Sequence, residues 1–489
     1  MNGAGGNSTR LMFDDDDNES NGTLVSSIMC SLAALALILA VFKVIYERWI
    51  TPLSKVPGRF LHSVSSIPMR YHMLNGTLPE FLHSLHARYG AVVRISPQRV
   101  SVADPQMVRH VLGSHTFGKT PSYDNPLKPT TFSTRSPELS TLRRRQLGTG
   151  FGHRHLLEME AKIFECAVTN VMGRLDGLDT VQYHRLFSLA TLDTIGAIGF
   201  GQSFGALSRG DHELVQLLNR IRVFNYITMA LPWLKKLTLL GSPRTLTRLI
   251  GYAERAMAAR RQGKPQPDLL QLMLDSTMRD QEIVPETILH LIAGVDTTTA
   301  GLTWTLTLLL RHPEIHRQLC AELRKWPEPL SFDVCRRIPL LGAVIAESLR
   351  LLSPAPGMLP RLAPEGTRLG GYYLPQGTWV CCSLGAVHWS PAVFHDPLRF
   401  DPQRFMGEGA ELNRQNMLAF STGVRACLGR NLAVVEMHLV LGNILRRFDF
   451  ALPQGAKGGA LDVPRATRMT MNPTRPDRDC VAVVSRAKA

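Results

Sequence analysis

Phe420-Ser-Thr-Gly-Val-Arg-Ala-Cys-Leu-Gly429 is followed at once by Arg430-Asn-Leu-Ala-Val-Val-Glu-Met-His-Leu439, a run with helical periodicity. A glycine-containing loop therefore delivers one cysteine, Cys427, just before a helix begins. Backbone N–H groups there are free to donate to a sulfur, and a helix N-terminus favours an anion. That setting favours the thiolate, the form of cysteine that binds metal. Gly423 and Gly429 permit turns and close approach of the backbone to a flat cofactor, and Arg425 supplies a cation suited to a carboxylate. The competing reading is a structural cysteine in a glycine-rich turn. The remaining cysteines (Cys30, Cys166, Cys320, Cys335, Cys381, Cys382 and Cys480) form no C-x-x-C pair and no zinc ladder. Their irregular placement does not resemble a disulfide framework, and most read as buried thiols packing as small apolar groups.

The stretch resembles the cysteine-ligand signature of the cytochrome P-450 family, F-x-x-G-x-R-x-C-x-G, at Phe420, Gly423, Arg425, Cys427 and Gly429. The resemblance implies that Cys427 is the axial thiolate ligand of the iron of haem b, iron protoporphyrin IX, and that Arg425 meets a haem propionate. Other motifs follow in the family's order. Leu289 to Leu306 reads as part of one long helix, with Pro285 suited to its first turn and an end near Arg311, before Pro313. Its centre breaks propensity rules, because Gly294, Asp296 and Thr297–Thr299 are poor helix formers. Threonine hydroxyls can bond the carbonyl one turn back, and local failures of sequence logic concentrate at functional sites. The segment Ala293-Gly-Val-Asp-Thr-Thr298 resembles the family's oxygen-binding motif, A-G-x-D-T-T. On that resemblance Thr297 hydrogen-bonds dioxygen at the iron and Asp296 relays protons from solvent. A helix merely tolerating polar residues is the alternative.

Glu347-Ser-Leu-Arg350 places an acid and a base on one helical face, by itself an ordinary surface pair. Asp401-Pro-Gln-Arg404-Phe405 is similar to the family's P-x-R-F element. The resemblance implies that Glu347, Arg350 and Arg404 form a buried ion network behind the haem that fixes the cysteine loop. Arg144 is similar in position to the arginine of the family's W/H-x-x-x-R pattern, but Ser140 stands where the aromatic residue or histidine belongs. Arg361, in Leu359-Pro-Arg-Leu-Ala-Pro364, looks like another propionate ligand. Exposed surface pairing competes for both arginines. The resemblance runs from about Pro57 to the end, and His86–Ile95 and Ala190–Phe200 look most like microsomal fungal members.

Leu24 to Phe42 is 19 residues without a charge. At ~1.5 Å per residue it spans about 28 Å, close to the ~30 Å hydrocarbon core of a bilayer. A cleaved signal peptide is disfavoured because the preceding segment is acidic and no small-residue cleavage site follows. Lys43, Arg48, Lys55 and Arg59 follow the span and Asp14–Asp17 precede it, so the positive-inside rule puts residues 1–23 in the lumen and the bulk in the cytosol. Asn7, Asn18 and Asn21 lie in lumenal glycosylation sequons, whereas the Asn75 sequon faces the cytosol. The expected organisation is an acidic lumenal tail (1–23), a transmembrane helix (24–42), a linker (43–58) holding Pro52, Pro57 and Gly58, and a cytosolic haem domain (59–489).

A composition of 44% hydrophobic and 19% charged residues is that of a folded protein with a large core. The net charge of +15 suits an anionic membrane or an acidic partner. Nucleic acid is the weakest option, since clusters such as Arg143–Arg145 are short and no nucleic-acid motif accompanies them. The expected fold is mainly α, a single large helical haem domain with a smaller β-rich part near residues 91–103 and 366–383, preceded by one transmembrane helix. Ala91-Val-Val-Arg-Ile95 and Thr378-Trp-Val-Cys-Cys382 support strands there independently.

The resemblance implies a monooxygenase that inserts one oxygen atom of O2 into a lipophilic substrate and releases the other as water. No flavin domain or dinucleotide fingerprint is present, so electrons are expected from NADPH through a separate flavoprotein reductase at the endoplasmic reticulum membrane. Rival functions are a haem-thiolate isomerase or dehydratase that does not use O2, against which the Asp296–Thr297 pair argues, and a non-enzymatic membrane-anchored haem binder. By family analogy the pocket is lined from Tyr123–Arg135, Leu207–Ile250 (with Phe224, Tyr226, Met229 and Trp233), Leu289–Ala293 and Ser353–Leu359. A role in secondary metabolite biosynthesis is expected.

Overall fold

A computed structural model of the protein describes residues 16–124, 128–234 and 243–487. Asn7, Asp14 and Asp15 lie outside the described residues, as do 125–127 and 235–242 of the expected pocket walls. Asn18 and Asn21 fall in the first turns of a helix over Asp16–Ile45, which a π-helical turn continues over Tyr46–Ile50. Within it, Leu24–Ile50 is long and apolar enough to cross a membrane, and none of its apolar window is buried in the protein.

The segment expected to be a linker is instead built into the fold. Residues 43–50 extend the helix, and Pro52–Lys55 form a 3-10 turn. The reason is Arg94, a buried residue on the strand Val92–Ser96. Its guanidinium donates to the Glu47 carbonyl at 2.6 Å, the Glu47 carboxylate at 2.6 Å and the Pro97 carbonyl at 2.7 Å. Its own N–H donates to the Pro57 carbonyl at 2.7 Å. A buried guanidinium needs such acceptors, so the end of the apolar helix is fastened to the sheet.

That sheet has five strands in the order Val92–Ser96, Arg99–Val102, Trp379–Ser383, Met358–Leu362 and Gly118–Lys119. Arg99–Val102 runs parallel to Trp379–Ser383 and the other pairs are antiparallel. Both stretches expected to be β-rich contain strands. A second sheet joins Thr180–Gln182, Val481–Arg486 and Phe448–Ala451, and a hairpin pairs Arg465–Arg468 with Thr470–Pro473. These strands are short, with only weak alternation to announce them.

Helices form the rest. The central one, Asp280–Leu310, is buried along most of its length. It begins earlier than the sequence suggested, so Pro285 lies inside the second turn and not in the first. Glu282 explains the early start: its carboxylate accepts the Arg279 N–H at 2.9 Å and the buried Arg143 guanidinium at 2.5 Å. A threonine on each successive turn then ties this helix to its neighbour, Tyr183–Gly199. Thr299 bonds Thr191 at 2.8 Å, Thr303 bonds His184 at 3.1 Å and Thr307 bonds the Tyr183 hydroxyl at 2.8 Å. Gly294 lets the same two helices approach closely, since a Cβ there would stand 2.4 Å from Ile195 Cδ1. The central helix ends at Leu310 with Arg311 as its cap, as expected from Pro313. It packs against the helix Arg430–Arg447, which the cysteine loop introduces.

Candidate active site

The cysteine loop is closed by the Cys427 N–H donating to the Phe420 carbonyl at 2.9 Å. Gly423 adopts φ +71°, and a Cβ there would fall 2.1 Å from the Leu112 carbonyl oxygen, so packing of backbone on backbone demands glycine. A turn or a close approach of the backbone was expected at both glycines, and Gly423 makes such a turn. Gly429 has φ −80°, and its Cβ would meet protein only at the Phe151 ring, 4.0 Å away. Among the described residues, space is left open beside it.

Cys427 retains accessible surface, yet burial pushes its thiol above the ordinary value. The Gly429 N–H, the Arg144 and Arg430 guanidinium groups and the Arg430 N–H act in the opposite sense and favour the thiolate. Arg144 also holds the loop directly, donating to the Ala426 carbonyl at 2.8 Å.

Three arginines named from the sequence converge at this site. Arg425 donates to the Thr134 and Ser136 carbonyls at 3.1 and 3.2 Å. Arg361, buried on its strand, donates to the Tyr123 hydroxyl at 3.1 Å. Desolvation, then the charges of Arg361 and Arg144, push Arg425 down to about 10. A fourth cation escaped the sequence reading. Lys119 is buried, lies 4.7 Å from the Tyr123 ring centroid and donates to the Phe132 carbonyl. Burial and the charges of Arg425, Arg361 and Arg144 push it down to about 7. Its signal was faint, a lone lysine in a two-residue strand. Ser140, which occupies the aromatic or histidine position, is fully buried with no hydrogen-bond partner for its hydroxyl.

The central helix supplies another wall. Beyond the opening residues of the helix, Ala293 is exposed, and Leu289, Ile292, Gly294, Asp296 and Thr297 are only half-buried. The Thr297 hydroxyl donates to the Ala293 carbonyl at 2.7 Å, the one-turn-back bond expected of a mid-helix threonine. Asp296 lies 3.3 Å from Arg222. Burial raises its carboxyl and the Arg222 charge lowers it, with burial the larger. Phe151 bridges the two walls, packing edge-on against His290 of the central helix at 5.5 Å and approaching Gly429. Of the expected pocket residues on Leu207–Ile250, Tyr226 belongs to the core instead, because helical phase turns it toward Met69 and Leu82. Met229 packs on that same cluster, and Trp233 is exposed.

Behind the cysteine loop, Glu347, Arg350 and Arg404 meet as the sequence resemblance implied. Arg350 grips both Glu347 oxygens, at 2.7 and 2.8 Å, and Arg404 Nε donates to Glu347 at 3.0 Å. Both side chains of the Glu347–Arg350 pair are fully buried. Arg350 also donates to the His388 carbonyl at 2.7 Å. His388 then reaches the loop, because its Nε2 accepts the Leu418 N–H at 2.8 Å. Burial and the Arg350 charge push His388 down to about 3, so its ring is neutral and able to accept. His388 lies outside every motif, and its role became visible only with the fold.

The fit to a haem can be tested on these groups. One accessible thiol sits among backbone N–H donors, and a cluster of cations beside it is short of anions and repels itself. An iron porphyrin bearing two carboxylates would satisfy both features.

Comparison with known proteins agrees. The protein-family model for cytochrome P-450 matches residues 59–476. The cytochrome P-450 monooxygenase helB2 of Aspergillus fumigatus is 30% identical over 93% of this chain and 100% of its own length. The monooxygenase astA of Talaromyces wortmannii is 31% identical over 88% of this chain and 93% of its own. The crystal structure of the cytochrome P-450DA heme domain matches with a TM-score of 0.75, over 88% of this chain and 98% of that one, at 21% identity, a likeness of fold. The chain belongs to the cytochrome P-450 family. It is an oxidoreductase of the monooxygenase type, with haem b as cofactor and O2 and a redox partner as co-reactants.

Proposed function

We propose that Cys427 is the axial ligand of the haem iron and that the protein oxidises a lipophilic small molecule in fungal secondary metabolism. Its electrons come from NADPH through a membrane-bound flavoprotein reductase. The observation that carries the reading is an accessible thiol, Cys427, beside a cluster of mutually repelling cations. Bound haem supplies the activation of O2 that inserts one oxygen atom into a C–H or C=C bond. Gly429 and Arg430 hold negative charge on the Cys427 sulfur through their N–H groups, and Phe420 closes the loop around it. Arg144, Arg361 and Arg425 bind the propionates, and Lys119 takes the place of the contact that Ser140 lacks. Asp296 passes protons inward and Thr297 directs them, its hydroxyl free to leave the Ala293 carbonyl when a better acceptor arrives.

The half-buried apolar side chains Leu289, Ile292 and Phe224 suit a lipophilic substrate. The apolar helix anchors the protein in the endoplasmic reticulum membrane with the haem domain in the cytosol, and Asn18 and Asn21 lie on the lumenal side. Exposed Trp49 and Ile50 end the span, and exposed Phe60, Leu61, Ile67 and Tyr71 follow it and extend its apolar surface.

Thr297→Ala tests the oxygen-site assignment. Alanine is the better helix former, so helix and haem should survive. With reductase and substrate present, NADPH should still be consumed while product per NADPH falls and hydrogen peroxide rises. Unchanged coupling would transfer the role to Thr298 or to a hydroxyl of the substrate.

A further inference from the structure

A carboxylate outside every motif holds part of the site's rim. Glu286 lies on the central helix, fully buried. The spacing 286, 290, 293, 297 places Glu286, His290, Ala293 and Thr297 along one helical stripe. Arg143, whose charge acts on Glu286, is engaged with Glu282 at 2.5 Å. The hydrogen bonds of Glu286 come instead from the strap Thr130–Ser136, where the Thr131 N–H at 2.5 Å and the Thr131 hydroxyl at 2.9 Å both donate to Oε1. Its second oxygen is sealed without a partner, as is Nδ1 of His290 one turn further on. Burial pushes Glu286 up to about 7, and the two Thr131 bonds oppose that rise.

The strap is tied at its other points by the cations of the haem site. Lys119 donates to the Phe132 carbonyl, and Arg425 to those of Thr134 and Ser136. The Phe132 ring packs 5.5 Å from Tyr123, the residue that Arg361 contacts. Strap position and cation position are therefore coupled, and the tie that comes from the central helix is Glu286.

We propose that Glu286 is a positioning residue: by fastening Thr131 to the central helix it sets the placement of Phe132 and Arg425 at the rim of the cavity, and so the space offered to substrate. The proposal rests on the reading of this cavity as the haem and substrate site. Its main readout does not, so the two can fail separately.

Full-length holoprotein in nanodiscs would be compared with Glu286→Ala, Glu286→Gln and Thr131→Val by amide hydrogen exchange. Glu286→Ala should raise exchange over residues 130–136 by ~10-fold or more while the Glu347–Arg350 region is unchanged. Glu286→Gln, whose amide oxygen can still accept both bonds, should restore most of the protection. Thr131→Val keeps the N–H bond and should show a smaller rise in the same peptide, which decides the matter if the alanine variant does not fold. Optical titration with 4-phenylimidazole, a nitrogen ligand for haem iron that fills the space above it, should give a dissociation constant altered ~3-fold or more in Glu286→Ala and near normal in Glu286→Gln. Unchanged exchange over 130–136, a rise spread evenly over the chain, or an unaltered phenylimidazole affinity in Glu286→Ala would each overturn the proposal.

Discussion

Replacing Glu347 by glutamine changes one atom and removes one charge from a fully buried site. In the wild type, Glu347 accepts from Arg350 Nε and Nη2, from Arg404 Nε and from the Asp401 N–H. The amide would keep one acceptor oxygen and turn an NH2 toward a guanidinium, so donor faces donor. Arg350 would then be a buried cation without a counter-charge, and Arg404, only 8% exposed, would be nearly so. Breaking one partner of a buried pair costs about 3–5 kcal/mol, a large part of the roughly 5–15 kcal/mol that holds a protein folded. Because Arg350 also holds the His388 carbonyl, and His388 the Leu418 N–H, the damage should reach the cysteine loop as early haem loss. Urea unfolding would be followed by far-ultraviolet circular dichroism and by haem absorbance in Glu347→Gln, Arg350→Met and the double variant Glu347→Gln/Arg350→Met. Removing both charges together should cost less than the sum of the two single changes, by about 1–3 kcal/mol. A loss below about 1 kcal/mol in Glu347→Gln, or strict additivity, would refute a tightly coupled buried network.

Two further outcomes follow from buried groups elsewhere. Deleting residues 1–42 keeps Glu47 and should leave the haem domain as stable as the full chain. Deleting 1–50 leaves Arg94 buried without its Glu47 acceptors and should cost about 3–5 kcal/mol; equal urea midpoints for the two truncations would contradict the fastening of the anchor. Glu436, buried in the helix Arg430–Arg447, is pushed up to about 8 by burial. Its polar neighbour Thr194 directs its hydroxyl to the Ala190 carbonyl instead. A carboxyl raised on folding lends stability that is fully present below its unfolded value of about 4.5 and is lost as pH rises toward about 8. Glu436→Gln should therefore flatten that decline relative to wild type, measured as urea midpoints between those limits, and an unchanged slope would refute the assignment.

Much of the site could be read in the sequence because its chemistry depends on local spacing. Cys427, Arg425 and Phe420 lie in one loop, and Ala293, Asp296 and Thr297 lie on neighbouring turns of one helix. Helical phase alone also put Glu347 and Arg350 side by side. What escaped was chemistry assembled across the fold. Lys119 joins the cation cluster through a strand pairing with Arg361, and His388 links the ion network to the cysteine loop through two backbone groups. Glu286 meets Thr131, 155 residues away in sequence. The helical continuation through residues 43–50 was hidden for a related reason. Pro52, Pro57 and Gly58 signal a break in helix, but not that a buried arginine some 40 residues on takes the preceding turn as its partner. Family analogy over the whole stretch Leu207–Ile250 brings Tyr226 into the pocket wall, whereas its orientation is set by which helical face meets the cluster of Met69 and Leu82.

The assignment of Cys427 is tested most directly by the spectrum of the reduced, carbon monoxide-treated protein with Cys427→Ser beside wild type. Serine's hydroxyl is a poor substitute for a thiolate as a charged axial ligand. Wild type should show the strongly red-shifted Soret band of thiolate-ligated haem, and the serine variant should lack it while keeping wild-type far-ultraviolet circular dichroism. A red-shifted band that persists in Cys427→Ser would contradict the account.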